Sequence, residues 1–182
     1  MEGYVESSLM WSNWSEVACI DDSVVGFLFG RIDKTMRDKS HARSVYLETK
    51  MLSRWILRNP IELFRSFGLM WNVWITELKL AGHKPPSDAE IELLIVDSKH
   101  RGKGIGRSLV GRFLAAAREA GAGVVTVYTE DLQSDYQFYE RYGFTKVATF
   151  HDDVTSYFAN KDSTAIVFAL DLKRATETVG QQ

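Results

Sequence analysis

A run of glycines and basic side chains in the middle of the chain has the composition of an anion-binding loop. Residues 101–106 read Arg-Gly-Lys-Gly-Ile-Gly and stand between an apolar run and a helical pattern. Glycines let such a loop turn tightly and bring its amides close to an anion, and the N-terminus of the next helix favours a phosphate. Four positive charges fall within nine residues of a chain whose formal net charge is −2: Lys99, Arg101, Lys103 and Arg107. The loop is therefore predicted to bind a polyanion.

The spacing of the glycines excludes two common phosphate-binding motifs. A Walker A loop needs Gly-Lys-Ser/Thr at its end, but Gly111, the glycine at the required distance, is followed by Arg112. A dinucleotide-binding fingerprint, Gly-x-Gly-x-x-Gly, needs a third glycine where Arg107 or Leu109 stands. The pattern that fits is Arg-x-x-Gly-x-Gly, carried by Arg101, Gly104 and Gly106.

The elements that must position this loop alternate between strands and helices. Residues 91–96 are nearly all apolar, as expected of a strand covered on both faces, and the apolar spacing after the loop predicts a helix that ends near Gly121. Residues 124–128, 145–150 and 164–172 are predicted strands. Between them, a short helix is predicted from Ser134, as N-cap, to Tyr142, with Gly143 as its C-terminal glycine. Residues 151–153, His-Asp-Asp, are predicted to form a solvated loop.

The part of the chain before residue 89 has a different character. Residues 16–31 predict a β-hairpin that turns at 21–23, and residues 35–80 predict helices divided at Pro60. In the second half of that helical stretch, five large apolar residues share one helical face, and we interpret them most simply as core, with a dimer interface or an apolar acceptor pocket as the alternatives. They are Phe64, Phe67, Trp71, Trp74 and Leu78.

Length and composition limit the class of protein. The chain has 182 residues, 45% hydrophobic and 25% charged, which is typical of one globular domain. The near-neutral charge argues against a nucleic-acid partner, and no apolar run approaches the length that a membrane span needs. Cys19 is the only cysteine and the first basic residue is Arg31, so neither an internal disulfide nor a secretory signal is expected. We predict a cytoplasmic protein without a metal site.

The chain resembles the GNAT superfamily of acetyl-CoA-dependent N-acetyltransferases. Two separate segments carry the resemblance: the strand–Arg-x-x-Gly-x-Gly–helix unit, and residues 138–144, Phe-Tyr-Glu-Arg-Tyr-Gly-Phe, which are similar to the family's Tyr-Glu-x-x-Gly-Phe segment. The resemblance implies an α/β (α+β) fold with a mixed, mostly antiparallel sheet flanked by helices. That sheet splays open between the parallel strands 91–96 and 124–128. It also implies one domain over residues 1–182, with an acetyl-CoA-binding core at 89–150 and, unusually, a helical insertion at 34–88.

The same resemblance assigns residues to acetyl-CoA, the expected cosubstrate. Loop amides would bind the pyrophosphate, and the edge of the strand at residues 95–96 would hydrogen-bond the pantetheine arm. Where many members have an asparagine near the start of the later helix, Ser134 is the expected substitute. The cofactor-binding residues are Ile95, Val96, Arg101, Gly102, Lys103, Gly104, Ile105, Gly106, Arg107 and Ser134.

The implied reaction is transfer of an acetyl group to a primary amine of a small molecule or peptide. Tyr139 matches the family tyrosine near the thioester sulfur and is the expected acid, although a packing role is the alternative. A neutral amine needs a base; Glu90 and Glu92 alternate with apolar residues and share a strand face, and Glu92 lies nearer the thioester end. Glu130 is the rival, and an ordinary salt-bridged role for Glu92 stays open. A non-catalytic coenzyme A-binding module, another acyl donor and a homodimer also remain open.

Overall fold

The computed structural model describes residues 8–9, 12–33, 62–132 and 134–173, with the side chains of 62–70 left undescribed. A β-hairpin comes first, formed by β1 (Trp14–Ile20) and β2 (Ser23–Ile32). Asp21 and Asp22 connect the strands with φ angles of 48° and 62°. Two positive φ angles are what a two-residue type I′ turn requires, and aspartate tolerates them better than most residues. The predicted hairpin is confirmed.

The remaining elements alternate, as the sequence predicts except for the helix between the last two strands. They are helix α1 (Glu62–His83), strand β3 (Ala89–Val96), helix α2 (Ile105–Glu119), strand β4 (Val124–Glu130), helix α3 (Gln137–Tyr142), strand β5 (Thr145–His151), helix α4 (Asp153–Ala159) and strand β6 (Thr164–Asp171). The six strands form one sheet in the order β1-β2-β3-β4-β6-β5. Only the β3–β4 pair is parallel, so the predicted mixed, mostly antiparallel sheet is confirmed.

The core lies between one face of the sheet and α2. The apolar side of α2 places Phe113 and Val110 against the sheet, where both are fully buried. Gly30 on β2 makes room for Phe113, because a Cβ at residue 30 would stand 2.3 Å from the phenyl ring. Ile91 on β3 and Val127 on β4 belong to the same cluster. Since side chains alternate along a strand, Glu90 and Thr126 lie on the opposite face, away from α2.

Helix α1 covers a different part of the molecule from the one its apolar pattern predicts. Trp71, Trp74 and Leu78 are 55%, 52% and 51% exposed, so the interpretation of these three residues as core is wrong. The helix packs against α4 and β5 through a more polar face, on which Thr76 is buried and Lys79 contacts Asp153 at 2.5 Å. The side chains of Phe64 and Phe67, and residues 34–61 of the predicted insertion, lie outside the described part. The dimer-interface and acceptor-pocket alternatives stay predictions.

Helix α4 replaces the solvated loop predicted at residues 151–153, and that prediction is wrong. Asp152 is 1% exposed and is the N-cap of α4, where its carboxylate accepts hydrogen bonds from the Thr155 N–H at 2.9 Å and the Thr155 hydroxyl at 2.8 Å. The Tyr128 hydroxyl donates to the same carboxylate at 2.9 Å. An aspartate that serves as N-cap satisfies the free N–H groups of the first turn. Among the described residues, no helix has the length and apolarity needed to cross a bilayer.

Candidate active site

The loop between β3 and α2 has the geometry of an anion cradle. Gly102 and Gly104 adopt φ angles of +76° and +80°, which residues other than glycine rarely adopt. Helix α2 starts directly after Gly104 with no side-chain cap, and its first intrahelical bond runs from the Ser108 N–H to the Gly104 carbonyl. The N–H groups of residues 105–107 therefore have no partner within the helix and, with the helix dipole, are available to a phosphate.

The four basic residues around the loop are all exposed, and two of them are held in place. The Arg101 Nε donates to the Val96 carbonyl at 3.2 Å, and the Arg107 guanidinium stands 5.3 Å from the centre of the Tyr142 ring. Burial raises the pKa of Tyr142, so the ring that Arg107 covers stays neutral at physiological pH. Lys103 makes no ion pair with any described residue. The loop thus combines positive charges that are held by neighbouring groups with an exposed Lys103 that has no ion-pair partner among the described residues.

Strands β3 and β4 pair over only three residues and then separate. The pairs are Ala89 with Val125, Glu90 with Thr126, and Ile91 with Val127. Beyond Ile91 the rest of β3 is only half-buried, whereas β4 stays paired with β6 up to Glu130. Coverage on both faces therefore holds for the first residues of β3 only. The predicted splay is confirmed, and we call the point where the two strands part the fork.

The open edge of β3 presents the main chain of alternate residues. The Asp97 N–H donates to the Val25 carbonyl at 2.9 Å, and Ile95 lies opposite Phe27 in the same antiparallel register. Because hydrogen-bonded pairs alternate along such a ladder, Ile95 bonds β2 and the main-chain groups of Leu94 and Val96 face away from it. Of the two residues predicted for the pantetheine arm, only Val96 presents its main chain to the fork, and Leu94 is the residue that the sequence did not indicate.

Glu92 lies at the fork in a β-bulge. On β2, Gly30 pairs with Ile91 and the next residue, Phe29, pairs with Leu93, so Glu92 is the extra residue of the ladder. It also follows the last residue that pairs with β4. Bulges of this kind re-aim a side chain and are frequent beside active sites. Glu92 thus has no strand partner on either side.

A compact cluster of charges surrounds Glu92. Arg31 contacts Glu90 at 2.8 Å and Asp33 at 2.8 Å but reaches Glu92 only at 3.5 Å, and Lys84 also contacts Glu90. The Oε1 atom of Glu92 is shielded from solvent and has no hydrogen-bond partner among the described residues. Burial, followed by the neighbouring Glu90 carboxylate, raises the pKa of Glu92 to about 7, against the opposing effects of Arg31 and Lys84. A carboxyl group with this pKa can accept a proton at neutral pH.

The tyrosine segment packs directly against the glycine loop. The Phe138 ring on α3 would stand 3.7 Å from a Cβ at Gly106, and Tyr142 covers Arg107, so the two motif segments form one unit. Tyr139 is buried, with its ring centre 5.2 Å from that of Phe138. Two further aromatic rings lie close to Tyr139: Phe144 at 5.8 Å and Phe168 at 5.9 Å.

Two other candidate residues lie at the end of β4. The predicted N-cap role of Ser134 is wrong, because α3 starts at Gln137; instead, the Thr129 hydroxyl donates to Ser134 Oγ at 2.5 Å. Ser134 is therefore fixed beside the end of β4. Glu130, the rival base, accepts a hydrogen bond from the Leu132 N–H at 2.6 Å and so takes part in shaping the same loop.

Besides Leu94, sequence reasoning missed Arg31 and Lys84. Arg31 belongs to the hairpin and Lys84 follows α1, so only the tertiary fold brings them to the carboxylates of β3. Nothing in the local spacing indicates either contact. No group of three or more potential metal ligands occurs within the described ranges.

A family model described as "Acetyltransferase (GNAT) domain" matches residues 72–146, which run from α1 through the loop and the tyrosine segment into β5. Over these residues the chain is similar to the GNAT superfamily. The resemblance noted from the two motifs is thus confirmed. No curated protein matches this chain in sequence.

Solved structures share the GNAT fold at low sequence identity. The ribosomal-protein-S18-alanine N-acetyltransferase from Escherichia coli is 12% identical with a TM-score of 0.55, and the match covers 94% of this chain and 77% of that one. Ard1 from Thermoplasma volcanium is 18% identical with a TM-score of 0.52, covering 92% and 76%. A Bacillus anthracis protein assigned as a streptothricin acetyltransferase, in complex with acetyl coenzyme A, is 16% identical with a TM-score of 0.51 over 86% of this chain. The match spans only 61% of that protein's length.

Proposed function

We propose that this protein is an acetyl-CoA-dependent N-acetyltransferase that acts on a primary amine of a small molecule or peptide. The observation that carries the proposal is the fork: an uncapped glycine loop follows the end of β3, and in the middle of β3 a carboxyl group with a pKa of about 7 lies where β4 departs. Between them runs a short unpaired strand edge. This order of groups matches the order of diphosphate, pantetheine and thioester in acetyl-CoA.

The donor would bind along β3. The amides of residues 102–106 and the positive end of α2 would hold the diphosphate, with Arg101, Lys103 and Arg107 neutralising its charge. The pantetheine amides would extend the sheet by bonding the main chain of Leu94 and Val96. That arrangement directs the thioester towards the fork, and Ser134 would contact the donor from the end of β4.

The reaction would proceed by direct attack. Glu92, directly or through one water, takes a proton from the ammonium form of the acceptor, whose pKa of about 10.4 would otherwise keep it protonated. The amine nitrogen then forms a bond to the thioester carbon, and an N–H at Val96 stabilises the oxyanion. When the carbon–sulfur bond breaks, Tyr139 donates a proton to the thiolate. The Tyr139 phenolate then takes the second proton from the nitrogen, and Glu92 releases its proton to solvent, so the products are a neutral amide and free coenzyme A. Holding both substrates at the fork supplies much of the acceleration.

The domain organisation proposed with this function treats residues 1–182 as one domain. Residues 89–150 would form the acetyl-CoA-binding core, and residues 34–88 would be a helical insertion, of which 62–88 are described. The end of α1 supports a functional role for the insertion, since Lys84 directly after it reaches the carboxylates of β3.

The test is coenzyme A release measured with a thiol reagent across a panel of amines. We expect acceptor-dependent release by the wild-type protein and a loss of at least about tenfold in kcat/KM for Glu92→Gln near pH 7. Glu119→Gln changes the same chemical group at an exposed position of α2 and serves as the matched control. Tight acetyl-CoA binding without release for any amine would instead favour the alternative, a non-catalytic coenzyme A-binding module. Release with longer acyl donors only would change the donor class.

A further inference from the structure

The two carboxylates of β3 differ sharply in their ionic partners. Glu90 is buried and receives two cations on the same atom, since Arg31 and Lys84 both contact its Oε2. Among the described residues, the cation that pairs with Glu92 is Arg31 at 3.5 Å, and this contact does not satisfy the shielded Oε1 atom of Glu92 with a hydrogen bond. Two cations hold the Glu90 carboxylate in place, whereas the shielded and weakly paired Glu92 retains its proton more readily. The pair therefore consists of a carboxylate fixed by two cations and a titrating group.

The other charged groups near the pair have partners elsewhere. Asp33 follows β2 and pairs with the Nε of Arg31 at 2.8 Å. From the β4 side, Tyr128 donates its hydroxyl to Asp152. From α1, Lys79 pairs with Asp153. Arg31, Lys84 and Glu90 are thus the charged groups that bear most directly on Glu92.

We propose that Glu90 is a positioning residue whose carboxylate, fixed by Arg31 and Lys84, strengthens Glu92 as the base, and that Lys84 limits this effect from the end of α1. The proposal rests on the proposed function, in which Glu92 accepts the proton of the amine. Like charges close together disfavour a second ionisation, so Glu90 makes Glu92 more basic. Lys84 acts oppositely, because its ammonium group offsets part of the charge on Glu90.

The location of Lys84 connects the helical insertion to the carboxylates of β3. Lys84 follows α1 directly, and its N–H donates to the Leu80 carbonyl at 2.8 Å, which continues the helical turn. Helix α1 is held against α4 by the contact of Lys79 with Asp153. The position of the ammonium group is therefore determined by the docking of α1. Through this contact the insertion would adjust the proton affinity at the fork.

The two residues make opposite predictions, which a purely structural role would not. In Glu90→Gln the acid limb of the kcat/KM–pH profile moves to lower pH by about one unit, and in Lys84→Met it moves to higher pH by a comparable amount. Lys84→Arg, which keeps the charge, restores the wild-type profile. Loss of activity without movement of the limb, or movement of both variants in one direction, would overturn the proposal.

A titration that needs no turnover separates this proposal from the proposed function. Carbon-13 NMR of carboxyl-labelled glutamates follows the Glu92 signal directly, and the signal is assigned by its absence in Glu92→Gln. We expect the titration midpoint of Glu92 to fall in Glu90→Gln and to rise in Lys84→Met, whether or not an acceptor has been found. Unchanged midpoints in the variants would refute the tuning role. An absence of acetyl transfer together with shifted midpoints would refute the function alone. If Glu90→Gln does not fold, Lys84→Met and Lys84→Arg still decide the matter.

Discussion

Replacing Glu92 with glutamine should stabilise the folded protein at neutral pH. The pKa of Glu92 is raised from 4.5 to about 7, so in that window the folded state binds more protons than the unfolded state. Wild-type stability must then fall as pH rises from 4.5 to 7, and the full penalty is present above pH 7. From 1.36 kcal/mol for each pKa unit, the part that accumulates between pH 5 and pH 8 is about 2–3 kcal/mol. A glutamine does not titrate and avoids this penalty.

The assay is urea unfolding followed by tryptophan fluorescence at pH 5, 6, 7 and 8. We expect the free energy of unfolding of Glu92→Gln, minus that of the wild type, to increase by about 2–3 kcal/mol from pH 5 to pH 8. Glu119→Gln measures the effect of removing a surface carboxylate in the same way. A difference between Glu92→Gln and the wild type that is constant with pH, or that decreases, would refute the claim that Glu92 is held in an unfavourable ionised state.

Three further substitutions, the first with a matched control, test separate parts of the structure. Gly30→Ala should destabilise the fold by about 2–4 kcal/mol, because its methyl group would collide with the buried Phe113 ring. The control is Gly82→Ala, which should be neutral or slightly stabilising because no described atom lies within 4 Å of the added methyl group. Thermal unfolding compares the two variants. Gly104→Ala should raise the KM for acetyl-CoA about tenfold, because a φ of +80° is strained for alanine and the loop amides would shift. An unchanged KM would show that the loop does not bind the donor. Tyr139→Phe should lower kcat at least about tenfold and leave the acetyl-CoA dissociation constant unchanged; an undiminished kcat would show a packing residue.

The loop was predictable because local rules govern it, whereas the splay was predicted from the family resemblance alone. Gly102 and Gly104 are needed for positive φ angles, and an uncapped helix start follows them directly in sequence. The hairpin is equally local, since two aspartates form its turn. By contrast, the bulge at Glu92 depends on the register of β2, which alternation along β3 cannot reveal. The bulge also decides that Leu94, and not Ile95, faces the fork.

Long-range packing accounts for the predictions that were wrong. The apolar stripe on α1 identifies one face of a helix, but the helix docks through Thr76 and Lys79 because α4 offers Asp153 there. The buried Asp152 looks like a solvated residue in sequence, although an aspartate followed by Val154 and Thr155 is also compatible with a helix start. Ser134 is polar and precedes a helix, yet its hydroxyl bonds Thr129 on β4 instead.

A crystal structure with coenzyme A tests most directly whether the fork is the place where a thioester meets an amine. We expect the diphosphate on the amides of residues 102–106, the pantetheine amides on Leu94 and Val96, and the sulfur within reach of Tyr139 and of a water held by Glu92. Coenzyme A bound elsewhere, or a sulfur atom far from both side chains, would contradict the account of the site.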